Sequence, residues 1–489
     1  SSKASLLEYK KNIKRNVMVK VTWSNKKSKA IKADITVVGI FDGSGSNDSI
    51  IEHLGAKYKD NLKRLNFKPT LGNTLLTQSH SNVLMVVGLG SAKELTLDTL
   101  RRACASAARE ASSFGTVVVD LGTTTTTVLD SDISARAIYE GFCLGLYGYS
   151  KYKSSNEAKV KSVVISDVTK ASTIKTLQKV AKISNAVLWA RDAVNTPPND
   201  QAPKVYANEI AALFKGTTVK VEILDEASLK RKKMVGVVAV GQGSANKPAF
   251  VHLTYKSPGA KKTVALVGKG VIFDSGGLSI KVGDGMGTMK CDMGGSAAVV
   301  GAMKAISGIK PKVNVEAYIP IVENMPGGNA YRVCDILKYR NGVTVEIGNT
   351  DAEGRLILAD GLISASENKP DAIIDLATLT GAIVIALGEK IAGAMSNNDK
   401  LRTKVIEASE RVGERMWPMP LPKDYRKAID TPVANVINTG ERYGSSLTAG
   451  LFLQEFVGDI PWVHLDIAGP AFIRANDGEN TEGGTGFGI

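Results

Sequence analysis

The chain is poor in histidine and cysteine, with four of each in 489 residues. His53, His80, His252 and His464 form no HExxH pair, which argues against a histidine-ligated zinc site. Cys104, Cys143, Cys291 and Cys334 form no CxxC pair, and a chain of this length needs no disulfide staples. Reduced thiols in a cytoplasmic compartment are the expectation. No apolar run reaches the roughly 18 residues of a membrane span, and the opening stretch SSKASLLEYKKNIKR has no signal-peptide core. The segment GLGS at 88–91 lacks the third glycine and the following acid of a dinucleotide loop, so it reads as a turn. Any metal here must rest on oxygen ligands, with lysine as a further donor.

What the chain does have is an uneven charge. Residues 1–195 hold 29 Lys+Arg against 16 Asp+Glu, a net +13, while residues 196–489 hold 33 against 32. A basic first half suits a soluble Lys-rich surface or an anionic partner; no RNA- or DNA-binding motif accompanies it. At this length two or three domains are expected.

The first half alternates strand and helix patterns, the mark of an α/β domain. Strands are expected at Val17–Thr22, Asp34–Phe41, Asn82–Leu89, Thr116–Leu121 and Val160–Ser166, and helices at Asp98–Phe114 and Ile133–Tyr147. The TTTTT run at 123–127 reads as a loop. A helical period runs from Ile174 to Val194 and stops at Asn195-Thr196-Pro197-Pro198, so it reads as a connector. In the second half strands are expected at Thr218–Leu224, Gly236–Val240, Ala249–Tyr255, Thr263–Val267, Val313–Pro320, Ala372–Leu376 and Trp462–Asp466. Helices are expected at Lys204–Phe214, Gly295–Ala305, Leu356–Ser366, Lys400–Gly413 and Leu447–Val457. The near-continuous apolar strands point to a sheet covered on both faces, whose ligands gather beyond the strand carboxyl ends.

Three stretches carry unusual chemistry. VGKGVIFDSGGLSIK places Lys269, Asp274 and Lys281 among glycines; MKCDMGGS places Asp292 before a helix; NTDAEGR brings Asp351, Glu353 and Arg355 to a helix start. Taken singly, these residues are a turn former, a helix cap and a snorkelling lysine. Taken together, four carboxylates would repel one another and hold protons unless cations sat among them. Two divalent ions about 3.5–4 Å apart, sharing bridging carboxylates, resolve that conflict. Beside two dications Lys269 would bind as a neutral amine.

VGKGVIFDSGGLSIK, MKCDMGGS, NMPGGNA and NTDAEGRLILADGL together resemble the leucine aminopeptidase (cytosol aminopeptidase) family over about residues 190–489. The resemblance implies a smaller N-terminal α/β domain (1–172) and a linker helix (173–195). It also implies a C-terminal α/β/α catalytic domain (196–489) with a mixed, mostly parallel sheet. Lys269, Asp274, Asp292 and Glu353 would hold the tighter metal, and Asp274, Asp351 and Glu353 the exchangeable one. Zinc, manganese, cobalt or magnesium would suit. Lys281 would polarise the substrate carbonyl, and Arg355 would hold a bicarbonate that shuttles the proton. Met289, Thr378 and Gly381 would line the pocket for the first side chain, with Leu379 offering a backbone carbonyl. The implied activity is release of an N-terminal Leu or similar apolar residue from peptides by a hydroxide bridging two metals, in a homohexamer. Two departures stand out: Val333 and Cys334 replace the usual Pro-Gly, and Pro470 stands where a Thr is more usual. The rival readings are a two-metal phosphoryl-transfer enzyme and a nucleic-acid-binding or scaffold protein using the basic half.

Overall fold

The computed structural model describes residues 19–43, 47–79, 82–154 and 160–489. The start of the strand expected at Val17 lies outside them. Two compact units emerge: one runs up to Ser184 and includes Ala475–Thr481, the other comprises Asn185–Arg474 and Glu482–Ile489. The helix Ala171–Asn195 contains the boundary.

The first unit is built on six strands: β1 (Lys20–Trp23), β2 (Ile35–Asp42), β3 (Thr74–Gln78), β4 (Val83–Ser91), β5 (Thr116–Asp120) and β6 (Ser162–Ile165). Their order is β1-β6-β5-β2-β4-β3, parallel except for the β3–β4 pair. The helix Leu97–Glu110 begins in a capping box, with Thr99 N–H donating to Thr96 Oγ1 and Thr96 N–H to Thr99 Oγ1. It meets the helix Ser131–Gly145 so closely that a Cβ on Gly141 would stand 2.4 Å from Cys104 Cβ. Sequence missed β3, and GLGS continues β4 instead of turning. The threonine run is no plain loop: Gly122–Thr125 is a helical turn, where Thr125 Oγ1 bonds back to the Leu121 carbonyl at 2.9 Å.

At the carboxyl end of β5 lies a buried polar cluster. Ser28 Oγ donates to Asp120 Oδ2 at 2.5 Å, and His53 Nε2 lies 3.1 Å from Ser28 Oγ and 3.2 Å from Asp120 Oδ2. Ser49 Oγ donates to the Asp120 carbonyl at 2.7 Å. One imidazole nitrogen faces both partners and the serine reaches the acid directly, so this is no nucleophile–base–acid relay, which needs the two imidazole nitrogens on different partners.

The second unit carries a nine-stranded sheet of β7 (Lys220–Leu224), β8 (Ala249–Tyr255), β9 (Thr263–Gly268), β10 (Gly270–Asp274), β11 (Asn314–Asn324), β14 (Ala372–Ala377), β15 (Ala392–Ser396), β16 (Met416–Pro418) and β18 (Trp462–Asp466). The short strands β12 (Ile336–Lys338), β13 (Thr344–Glu346) and β17 (Val436–Ile437) form a separate small sheet. The central run β18-β14-β9-β11 is parallel, β10 pairs parallel with β11, and β7, β8 and β15 bring the antiparallel pairs. Alternate residues of one strand feed two different cores. Phe250 and Tyr318 pack with the helices Val235–Gly241 and Gly354–Glu367. Val251, Ala317 and Ile319 pack on the other face with Pro203–Leu213 and Gly294–Ile309. That is why these strands read as continuous apolar runs.

One expected strand is wrong. Gly236–Val240 lies in the helix Val235–Gly241. A short apolar run has no period that separates strand from helix. Here tertiary contacts decide, because the buried Asp360 carboxylate accepts the Val237 N–H at 2.9 Å. In the turn at Val333-Cys334, Cys334 adopts a φ of +73°, a left-handed conformation glycine takes freely and cysteine only at a cost.

Candidate metal centre

β9 ends at Gly268 and β10 begins at Gly270, so Lys269 occupies a one-residue break between two strands. Its N–H donates to the Leu376 carbonyl and its carbonyl accepts from Ser296 N–H. The residue is 2% exposed. Its Nζ donates to the Thr378 carbonyl at 2.8 Å and lies 2.8 Å from Asp292 Oδ1 and 3.0 Å from Glu353 Oε1. This lysine therefore does not snorkel to water. Gly354 permits its reach, since a Cβ there would stand 2.6 Å from Lys269 Cε and Nζ.

Asp274 ends β10. Its Oδ1 accepts from Gly276 N–H at 2.9 Å and from the Asn324 amide at 2.8 Å, while Oδ2 faces Lys281 Nζ at 2.7 Å. Gly276 and Gly277, at φ +87° and +66°, turn the chain so that Lys281 N–H can donate back to the Ser275 carbonyl. Lys281 Nζ also lies 2.6 Å from Asp351 Oδ1. Asp274, Asp351 and Glu353 each offer an oxygen, all within 4.8 Å of one another. Asp292 does not cap the following helix, whose N-cap is Met293; its Oδ1 accepts from Thr378 Oγ1 at 2.9 Å instead.

The electrostatics are those of too many acids in one buried place. Burial, reinforced by neighbouring carboxylates, pushes Asp292 well above the usual carboxylate range and raises Asp351 and Glu353. Burial alone would lower the Lys269 ammonium; the carboxylates of Asp292, Glu353 and Asp274 outweigh it and hold the group above its ordinary value. Lys281 follows the same balance, with Asp274 prevailing over burial. Asp292 Oδ2 is buried with no hydrogen-bond partner among the described residues. An all-oxygen donor set with an amine, an unpartnered carboxylate oxygen and acids driven toward protonation is what divalent cations would relieve, so the residues fit two such ions.

Arg355 lies in the first turn of the helix Gly354–Glu367 and is buried. Burial lowers its guanidinium to about 10 against the pull of Glu353 and Asp466. Its Nε has no hydrogen-bond partner among the described residues, and its guanidinium carbon sits 6.0 Å from the Phe452 ring centroid. Of the expected pocket residues, Thr378 touches the cluster directly. Leu379 is half-buried at the edge of the core, with its N–H donating to Asp466 Oδ1 at 3.1 Å. Met289 is half-buried in the single turn before Asp292, and Gly381 is exposed at the start of the helix Gly381–Leu387.

Sequence reasoning assigned no role to Asn324 or Asp466. The Asp466 carboxylate accepts from Leu379 N–H and from Thr380 Oγ1, the latter at 2.7 Å, and so fixes the Thr378–Gly381 turn. Asn324 stood in the quoted NMPGGNA stretch, but nothing local marks a strand-end asparagine as a donor to Asp274.

A two-sided α/β/α sheet with clustered carboxylates and two lysines beyond its strand ends defines a metal-dependent hydrolase of the two-metal class. The profile of the cytosol aminopeptidase family catalytic domain matches residues 188–489, and that of the family's N-terminal domain matches residues 37–156. A probable cytosol aminopeptidase of Streptomyces avermitilis is 40% identical, with 96% of this chain and 97% of that protein covered. One of Aquifex aeolicus is 44% identical over 86% and 84%. Among solved structures, the bottromycin maturation enzyme BotP in complex with Mn superposes with a TM-score of 0.86 at 36% identity, covering 93% of this chain and 97% of that one. A mutant tomato leucine aminopeptidase gives 0.87 at 33% identity, covering 96% and 95%. The chain belongs to the cytosol aminopeptidase family and is a metal-dependent aminopeptidase, of a family that uses two divalent metal ions.

Proposed function

We propose that this aminopeptidase prefers peptides beginning with leucine or a similar apolar residue. Lys269, Asp274, Asp292 and Glu353 would hold the tighter ion, and Asp274, Asp351 and Glu353 the exchangeable one. The observation that carries the reading is the convergence of these groups on one buried cluster in which Asp292 Oδ2 lacks a partner. Two bound divalent ions would supply Lewis acidity, polarising the scissile carbonyl and making water nucleophilic near neutral pH.

The chain's own residues do the rest. Lys281, between Asp274 and Asp351, places its ammonium where the carbonyl oxygen gathers negative charge, so it binds the transition state more tightly than the substrate. Arg355, buried and with no hydrogen-bond partner for its Nε among the described residues, would hold bicarbonate as the proton carrier toward the leaving amine. Met289, Thr378 and Gly381 would line the pocket for the first side chain, with Leu379 offering a backbone carbonyl to the substrate. A hexameric, cytosolic enzyme follows from the resemblance and is checked by light scattering and cell fractionation.

The test is release of leucine from a Leu-anilide. Activity should fall by about a thousandfold or more on chelation and in Glu353→Ala, and return with manganese in the wild type alone. Undiminished turnover after complete metal removal would sink the reading. Phosphodiester cleavage without anilide cleavage would favour the phosphoryl-transfer rival.

A further inference from the structure

Asn324 ends β11 and is fully buried. One amide hydrogen goes to Asp274 Oδ1 at 2.8 Å and the other to the Thr350 carbonyl at 2.9 Å. Asp274 and Asp351, the residue after Thr350, come from two segments far apart in sequence. A single neutral side chain therefore ties them together. With Gly276 N–H, Asn324 occupies Asp274 Oδ1, which leaves Oδ2 as the oxygen facing Lys281. The Asn324 Oδ1 is itself buried without a hydrogen-bond partner among the described residues, so the amide is placed for its two donations.

We propose that Asn324 is a positioning residue that sets the affinity of the exchangeable ion, by fixing the separation of Asp274 and Asp351 and restricting Asp274 to one ligating oxygen. This rests on the ligand assignment above. Both donations of the Asn324 amide go to protein oxygens, so it acts through Asp274 and the segment of Asp351. It acts as the hydrogen-bonding layer behind metal ligands acts elsewhere, where loss of such a partner weakens binding by roughly 10–100-fold. Of the tighter ion's ligands only Asp274 bonds to Asn324; Lys269, Asp292 and Glu353 are tied to one another and make no hydrogen bond to Asn324 among the described residues, so the two ions should respond differently.

Tyr331 supplies an internal control. Its hydroxyl donates to the same Thr350 carbonyl at 2.6 Å, and no hydrogen bond links it to Asp274. Asn324→Ala thus leaves the Thr350 carbonyl a partner, and Tyr331→Phe removes only that second donation.

The experiment is calorimetric titration of the chelator-stripped full-length enzyme with Mn²⁺. In Asn324→Ala the weaker dissociation constant should rise by about tenfold or more while the tighter one moves less than about threefold. Turnover at saturating Mn²⁺ should stay within about threefold of wild type. Tyr331→Phe should leave both constants within about threefold. Equal weakening of both ions, or of neither, overturns the proposal, as does an effect in Tyr331→Phe as large as in Asn324→Ala. If Asn324→Ala fails to fold, Asn324→Asp, nearly isosteric, replaces both donations by acceptors and is judged by the same two constants. A wild type that binds no Mn²⁺ would instead sink the proposed function, which separates the two failures.

Discussion

Two buried polar clusters stand at strand carboxyl ends in this protein, and they are built on opposite principles. In the first unit Ser28, His53, Ser49 and Asp120 exchange hydrogen bonds among themselves. In the second unit four carboxyls and two lysines leave Asp292 Oδ2 without a hydrogen-bond partner among the described residues, and three of the acids are driven upward. Burial alone therefore does not mark a functional site. The mark is an imbalance of donors and acceptors that protein groups do not close. A closed cluster contributes to stability, while an open one costs stability until a ligand fills it.

The largest effect that sharpens this contrast is expected for Lys281→Ala. Turnover of Leu-anilide should fall by about a hundredfold to a thousandfold, the usual consequence of losing one group that stabilises a developing oxyanion. Plasma emission spectroscopy should still find wild-type metal content. Loss of metal along with rate would mean that Lys281 supports the ions and not the transition state.

Asp360 lies between the two extremes. It sits on the same helix as Arg355, one oxygen accepts the Val237 N–H, and the other has no partner among the described residues. Burial raises its carboxyl to about 7. The folded protein thus keeps a proton there that the unfolded chain loses near its ordinary value of 3.8. Unfolding then releases a proton, so this group's contribution to stability falls as pH climbs from about 4 to about 7 and levels off above. Asp360→Asn, which keeps an acceptor for Val237, should flatten the pH dependence of stability in that window by up to ~1.4 kcal/mol per pH unit. Urea titrations of both proteins across pH 4.5–7.5 measure it, and parallel slopes would show that Asp360 is ionised in the fold.

The smallest effect belongs to the closed cluster. Ser28→Ala should cost about 1–2 kcal/mol of stability by removing one buried donor, with the anilide rate within about twofold of wild type. A tenfold rate loss at unchanged stability would break the contrast, because the cluster would then carry chemistry.

The candidate site was legible in sequence to the extent that its residues lie in short, composition-rich stretches. Lys269, Asp274 and Lys281 share one such stretch, and Asp351, Glu353 and Arg355 another. The supporting residues were not legible. Asn324, Tyr331, Thr350 and Asp466 are ordinary strand-end or loop residues whose roles exist only through partners tens of residues away. The helix Val235–Gly241 failed for a related reason, since its run of valine and glycine fits either backbone and the partner that decides it is Asp360. The small sheet of β12, β13 and β17 also went unread, its strands being two or three residues long and too short to show a period.

The order of amino acids by itself settled the alternation of strands and helices, the two-faced burial of the catalytic sheet and the inventory of acids and lysines, because periodicity and residue chemistry are local properties. Tertiary structure alone decided which oxygen of Asp274 faces Lys281, which acid oxygen lacks a hydrogen-bond partner among the described residues and which polar cluster closes on itself. Those outcomes depend on hydrogen bonds between segments far apart along the chain, and no local pattern encodes such distances.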